Sequence, residues 1–369
     1  MNKTGFGFLR LPQISENVVD FDALNPLVDR YLELGGKYFD TAFNYLNGQS
    51  EIAIRKSLVT RHPRDSYILA DKLPGFLINS EQECKTYFML QLMRCGVEYF
   101  DVYLLHWLNK ENYAKAEAFD EFGFISRLKE EGKARKIGFS YHDSPELLEQ
   151  ILTAHPEVDI VQLQINYLDW ESASVKAREC YEIAVRHGKE VVVMEPVKGG
   201  SIASVPAEAE ALMKSVRPDD SAASWAIRFA ADLEQVSVVL SGMNAMEQVE
   251  DNMRDLPPLT EDERILLEKC ADIIRVNTAI PCTGCGYCLA GCPKGIPIPK
   301  YFGLYNELSV KTDDDWKILP IYETLAKASS KASDCIGCRK CESSCPQKLK
   351  ITEYLNDVAR VMEVDSENK

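Results

Sequence analysis

Eight of the twelve cysteines in this 369-residue chain fall in two copies of one phrase, CTGCGYCLAGCP from Cys282 to Pro293 and CIGCRKCESSCP from Cys335 to Pro346. Each copy spells C-x2-C-x2-C-x3-C-P. Three thiolates at this spacing wrap one iron–sulfur cube, while the fourth, followed by proline, leaves the loop and reaches the other cube. The spacing therefore predicts two [4Fe-4S] clusters. Cys282, Cys285, Cys288 and Cys345 would hold the first, and Cys335, Cys338, Cys341 and Cys292 the second. Zinc is the lesser alternative, because a pair of C-x2-C units already supplies its four ligands and gives no reason for the third cysteine before C-P. A disulfide framework fits a chain without a secretion signal least well. Gly284, Gly286 and Gly337 let backbone amides approach the sulfurs, where their hydrogen bonds help set the potential. Cys84, Cys95, Cys180 and Cys270 lie in helical patterns and read as small packing side chains.

A second set of reactive residues stands at the ends of apolar runs. Asp40 closes KYFD, Lys72 closes SYILADK, His106 closes YFDVYLLH, and Tyr45 follows Asp40 by five positions. Tyrosine is a poor acid near its ordinary pKa of about 10. A neighbouring lysine cation lowers that value, an aspartate holds the lysine, and a histidine orients a carbonyl or shares the proton. Together they make a proton donor for an alkoxide formed by hydride transfer. Each residue taken singly has a plain structural reading: a turn cap for Asp40, packing for Tyr45, a buried satisfied ring for His106. Their joint occurrence at neighbouring strand ends favours the chemical one. His62, His142, His155 and His187 have no such company and read as surface or loop residues. Arg10, after the first strand, suits an anionic substrate or a cofactor phosphate as well as an ion pair with a pocket carboxylate.

These residues need a scaffold that gathers strand ends. Eight β-branched or aromatic runs, TGFGF, KYFDTA, SYILADK, YFDVYLLH, ARKIGFS, DIVQLQIN, EVVVMEP and VSVVLSG, alternate with amphipathic helical patterns over roughly 250 residues. That rhythm predicts an α/β fold, a (β/α)8 barrel of the TIM type, whose chemistry sits at the C-terminal ends of the strands. An open doubly wound sheet is the alternative, but no G-x-G-x-x-G follows the first strand. The expected division is a barrel over 1–258, a helical connector over 259–279 and a small ferredoxin-like iron–sulfur domain over 280–369. KYFGLYNELSV and PIYETLAKAS read as two helices between the cysteine phrases. The acidic run Asp313 to Asp315 reads as a solvated loop and helix start.

The segment FDTAFNYLNGQSE and the order Asp40, Tyr45, Lys72, His106 resemble the signature and catalytic tetrad of the aldo/keto reductases. The whole chain, with GFGFLRLP, LLHWL and PCTGCGYC, is similar to the subgroup that carries an appended domain like the bacterial two-cluster ferredoxins. Forty-two residues, 293–334, separate the two phrases, more than a compact ferredoxin uses. The resemblance implies a nicotinamide dinucleotide, with NAD and NADP both open. Ser140 and Gln162 match positions that hold the carboxamide, Ser241 to Asn252 match the segment around the adenosine end, and Asn252 would contact the adenine. Trp107 matches an aromatic wall of the substrate pocket, where Arg10 would also contribute. Three positions depart from the pattern. Tyr141 replaces an asparagine, and Met194 replaces the tyrosine that stacks on the nicotinamide. Gly242 and Gln248 stand where lysine and arginine grip a 2′-phosphate, with Arg254 or Lys198 as substitute cations.

A formal charge of −15 argues against nucleic acid and anionic membranes as partners. No apolar run reaches membrane-spanning length, and MNKTGFGFLRLP lacks the pattern of a signal peptide, so a cytoplasmic setting is expected. The favoured reading is an oxidoreductase that reduces a carbonyl, or oxidises an alcohol, at Tyr45. It would exchange electrons through its clusters with a carrier such as ferredoxin, and a flavin is the speculative converter between hydride and single electrons. Two alternatives stand beside it: a conventional NAD(P)H carbonyl reductase with structural or sensing clusters, and a non-catalytic barrel that docks an electron-transfer protein. Substrate and oligomeric state are not legible.

Overall fold

A computed structural model describes residues 3–15, 17–255, 257–310 and 315–363. Eight parallel strands close a barrel: β1 (Thr4–Gly7), β2 (Tyr38–Asp40), β3 (Ile68–Leu73), β4 (Phe100–Leu108), β5 (Ala134–Tyr141), β6 (Ile160–Gln164), β7 (Glu190–Met194) and β8 (Val236–Ser241). Each strand pairs with its sequence neighbour, and β1 also pairs with β8. The expected barrel and all eight expected strands are therefore present. A short antiparallel ribbon, Gln13–Ser15 with Val18–Val19, follows β1.

Parallel strands are buried on both faces, which is why the runs are almost wholly apolar. Inside the barrel, Tyr38, Ala70, Val102, Leu104, Ile160, Val192 and Leu240 pack into one cluster. Burying each large aliphatic chain there contributes about 1.5–3 kcal/mol. The strands approach so closely that a Cβ on Gly138 of β5 would lie 1.9 Å from the Ile160 carbonyl oxygen of β6. On the outer face, the helix Phe21–Glu33 is started by Asp20, whose carboxylate accepts the Ala23 N–H at 3.0 Å. Its Tyr31 hydroxyl accepts the Tyr38 N–H at 3.1 Å and has the carbonyls of Thr4 and Tyr38 within reach of its proton at 2.9 and 3.0 Å, fixing β1 beside β2.

The barrel unit comprises residues up to 172, Lys176–Val197 and Asp220–Arg264. It closes on a buried guanidinium: Arg228 meets Asp220 and Glu263, each at 3.4 Å. The second compact unit is not a simple C-terminal tail. It contains Ile265 onward together with Ala173–Val175 and Lys198–Asp219, the latter carrying the helix Ala207–Val216. Cys270, on the helix Glu261–Val276, lies 3.7 Å from the Ala209 carbonyl within this unit.

The cysteine phrases form two short helices, Tyr287–Ala290 and Lys340–Ser343, and the segment between them forms Ile298–Val310 and Asp315–Ala328. Asp313 and Asp314 lie outside the described residues. A last helix, Ile351–Met362, went unanticipated in the sequence. Its buried Ile351, Leu355, Val358 and Met362 join Tyr301, Phe302 and Tyr322 in the core of this unit. Among its described residues this unit has no strand, and its cysteine-bearing part is helical. No described helix is long and apolar enough to cross a membrane.

Candidate active site and cluster cysteines

Asp40, Lys72 and His106 come together because each ends, or nearly ends, a barrel strand. The ammonium of Lys72 has three protons and three acceptors within reach. It donates to Asp40 Oδ1 at 2.6 Å and to the Thr41 carbonyl at 2.8 Å, and it lies 3.5 Å from the Tyr45 hydroxyl. Both charged partners are buried, Lys72 at 1% exposure and Asp40 at 3%. Asp40 Oδ2 also accepts from Gln162 Nε2 at 3.4 Å. Tyr45 reaches the pocket through a sharp turn in which Leu46, Asn47 and Gly48 all take positive φ. Two of these are not glycine, a local strain of the kind held at functional sites.

The His106 ring meets Tyr45 edge-on at 5.8 Å between centroids. Its placement depends on a bulge, since the register of β4 on β5 shifts between Leu105 and Leu108 and Trp107 takes φ +61°. Ser140 Oγ accepts the Trp107 N–H at 2.7 Å and holds that bulge. A bulge at a strand end re-aims the side chains beside it. The turn Gly75–Leu77 after β3 adds Phe76, whose ring lies 5.7 Å from both His106 and Trp107. Phe76 was missed in the sequence, although the Pro-Gly pair just past Lys72 is a turn signal at a catalytic strand end.

Burial dominates the electrostatics. It pushes the Asp40 carboxyl up, opposed by the Lys72 charge and the hydrogen bonds from Lys72 and Gln162. It pushes the Tyr45 phenol well above its ordinary value, helped by Asp40 and Glu195 and opposed by Arg10. The fall expected from Lys72 is thus outweighed. The phenol keeps its proton at neutral pH, the form a donor to an alkoxide requires. Burial, then Lys72 and His142, hold His106 well below the usual histidine range, so its imidazole is neutral.

Among positions matched to the cofactor, Ser140, Gln162 and Ser241 are buried at the C-terminal ends of β5, β6 and β8, and Met194 is half-buried at the end of β7. Gln162 Oε1 is buried without a hydrogen-bond partner, an acceptor that fits the NH2 of a carboxamide. Asn252 donates to Ser241 Oγ at 3.0 Å, and Gln248 Oε1 accepts from the Asn244 N–H at 2.7 Å. A Cβ on Gly242 would lie 3.2 Å from Arg10 Cβ, while Arg10 pairs with Glu195 at 3.7 Å. The substitute cations for a 2′-phosphate are committed elsewhere. Arg254 meets Asp220 at 2.9 Å and Asp251 at 3.4 Å, and Lys198 is buried in the second unit. Three of the remaining histidines likewise have carboxylate partners rather than open surface: His62 with Asp29, His155 with Glu117 and His187 with Glu149, each at 2.8 Å.

Cys292, Cys335, Cys338 and Cys341 line one small cavity with Ile296 and Leu355. Burial, followed by the thiol groups of Cys285, Cys282 and Cys345, pushes the Cys288 thiol up. Thiols crowded in apolar surroundings lose their protons when a metal centre supplies the compensating charge. The Gly284 N–H donates to Cys282 Sγ at 3.4 Å, as an amide near a cluster sulfur should. Gly286 and its counterpart Arg339 both take positive φ, so the repeated loops share a backbone path despite that difference. Cys84, Cys95, Cys180 and Cys270 are all buried.

Residues 3–272 match the model described as the aldo/keto reductase family, and residues 281–351 match a 4Fe-4S dicluster domain. The NADH-specific methylglyoxal reductase of Escherichia coli is 28% identical over 162 residues, 38% of this chain and 48% of that protein. This chain thus spans about half the length of the first curated relatives it matches, 48% and 59%. An aldo-keto reductase from Bacillus halodurans in its holo form superposes with a TM-score of 0.59 at 26% identity, covering 73% of this chain and 91% of that one. An aldo/keto reductase from Klebsiella pneumoniae in complex with NADP and acetate gives 0.58 at 18% identity over 72% and 90%, a likeness of fold.

Proposed function

The chain belongs to the aldo/keto reductase family and carries a 4Fe-4S dicluster domain, and from that premise we propose that it reduces a small carbonyl compound, or oxidises the alcohol, with Tyr45 as proton donor. The observation that carries this reading is the Lys72 ammonium, which reaches Asp40 and Tyr45 at once. When bound, a nicotinamide supplies the hydride and the clusters pass single electrons. The chain's own residues do the rest. Lys72 fixes the phenol, neutral His106 orients the carbonyl oxygen, and Phe76 and Trp107 keep water from the reacting carbon. As charge forms on the substrate oxygen, the Tyr45 proton moves to it.

Gln162 Oε1 and Ser140 would hold the carboxamide, with Met194 over the ring and Ser241 to Asn252 around the adenosine. Arg10 stands near Gly242 and would meet a phosphate there. The Escherichia coli relative, named NADH-specific, supports a small carbonyl substrate and NADH. The cysteine sets would hold the two clusters as Cys282, Cys285, Cys288 with Cys345, and Cys335, Cys338, Cys341 with Cys292. The clusters would trade electrons with a carrier such as ferredoxin in a cytoplasmic setting. Neither the described residues nor the relatives named above support a flavin.

Anaerobic protein is given NADH or NADPH without substrate while visible and EPR spectra are recorded. Bleaching of the iron–sulfur absorbance with reduced-cluster signals supports coupling. Clusters indifferent to both nucleotides and to carbonyl turnover refute it. Tyr45→Phe should lower kcat about 10²–10⁴-fold with the fold retained, the usual worth of a positioned acid. Unchanged turnover would leave the barrel as a docking module.

A further inference from the structure

Lys198 looks like a cofactor-gripping cation in the sequence, in the loop that follows β7. It is instead 3% exposed and belongs to the compact unit that carries the cysteines. Its ammonium donates to Gln347 Oε1 at 3.0 Å. Gln347 is itself 5% exposed and stands two residues after Cys345. The next residue of the loop, Gly199, presses on the other ligand-bearing segment. A Cβ there would lie 2.1 Å from the carbonyl oxygen of Thr283, between Cys282 and Cys285. One loop therefore touches both stretches of chain that supply cysteines to the first cluster.

The amide of Gln347 has a defined orientation. Lysine can only donate, so its partner must be the carbonyl oxygen, and the NH2 group must face the other way. That Nε2 is buried and has no hydrogen-bond acceptor among the described residues. Buried donors in native proteins are nearly always satisfied, so an acceptor absent from the polypeptide is expected beside it. Cluster sulfur is such an acceptor. Hydrogen bonds to cluster sulfur stabilise the more negative, reduced state and raise the potential.

We propose that Gln347 donates a hydrogen bond to a sulfur of the cluster held by Cys282, Cys285, Cys288 and Cys345, and that Lys198 is the positioning residue that turns the amide toward it. This rests on the ligand sets proposed above. The pair raises the potential of the first cluster and leaves that of the second as it is. No electron or proton moves in the interaction itself.

The test is an EPR-monitored redox titration of the full-length holoprotein, with the two signals assigned by Cys285→Ser and Cys338→Ser. Gln347→Leu should lower the midpoint of the first cluster and leave the second unchanged. Lys198→Met should act in the same direction. The double variant should go no lower than Gln347→Leu, because Lys198 acts through Gln347, and Lys198→Arg should stay close to wild type. If Gln347→Leu fails to load its clusters, Gln347→Glu serves, since a carboxylate cannot donate and should also lower the first midpoint. Unmoved midpoints in fully loaded Gln347 variants overturn the proposal, as does an equal shift of both clusters or an additive double variant. Wild-type protein holding far fewer than about eight irons per chain fails the ligand reading itself, a result distinct from a loaded protein whose potentials do not respond.

Discussion

Glu121 is a carboxylate in a place that suits only its protonated form. It opens the helix Glu121–Glu130, is 1% exposed, and neither oxygen has a hydrogen-bond partner. Its oxygens lie 2.6 and 2.9 Å from where a Cβ on Gly75 would stand, against the turn that presents Phe76 to the active site. Burial, opposed by Lys115, lifts its pKa from 4.5 to about 7. The folded protein thus holds a proton between pH 4.5 and 7 that the unfolded chain releases. Stability must fall as pH rises through that window, and at 1.36 kcal/mol per pH unit the full loss is about 3 kcal/mol. Glu121→Gln keeps the shape and has no charge to bury. The assay is urea unfolding under anaerobic conditions at half-unit steps from pH 5 to 8, read by tryptophan fluorescence. Trp107, Trp170 and Trp225 lie in the barrel unit and report on it. The wild type should lose about 2.5 kcal/mol relative to Glu121→Gln between pH 5 and 8, the part of the full loss that this range covers. Parallel curves would refute the reasoning and mean that the carboxyl ionises without cost.

Lys72→Met should abolish turnover and also destabilise the barrel by about 3–5 kcal/mol, because it strands Asp40 as a buried carboxylate; denaturant midpoints measured beside activity separate the two losses. Arg228→Ala removes the guanidinium shared by Asp220 and Glu263 and should cost a similar amount in barrel stability with no change in the cofactor site, read as unaltered KM for the nucleotide in protein that remains folded. NADH should give at least about tenfold higher kcat/KM than NADPH, about 1.4 kcal/mol of discrimination, since Gly242 and Gln248 carry no charge, Arg254 is paired with Asp220 and Asp251, and Arg10 is paired with Glu195; a preference for NADPH would show that Arg10 or another cation reaches the 2′-phosphate.

The parts that were legible in the sequence are those set by local pattern. Apolar runs with Asp40, Lys72 and His106 at their ends announce a barrel and its rim, and the doubled cysteine phrase announces the 4Fe-4S dicluster domain. What was hidden depends on packing between distant segments. Nothing local marks Glu121 as buried, because a glutamate opening a helix is ordinarily solvated and favoured by the helix dipole. Lys198, followed by two glycines, has the look of an exposed loop cation until Gln347 closes over it. The bulge at Trp107 follows from a hydrogen bond to Ser140 on the next strand. The electrostatic sign at Tyr45 was misjudged for the same reason: charge can be counted from sequence, but depth cannot.

The allocation of Lys198–Asp219 to the second unit bears on how this chain must be made. A ribosome delivers seven strands, then this segment, then the eighth strand, and only later the residues from Ile265 onward that pack with it. Until those residues emerge, the helix Ala207–Val216 holds Ala209 and Met213 ready for a core that does not yet exist. The barrel therefore completes its sheet around an excursion whose destination is translated later. A chain cut after Arg264 would keep every strand and every tetrad residue, yet carry an orphaned helix in its middle. The iron–sulfur segment is thus less an appendage to a finished enzyme than the second half of a structure begun inside the first.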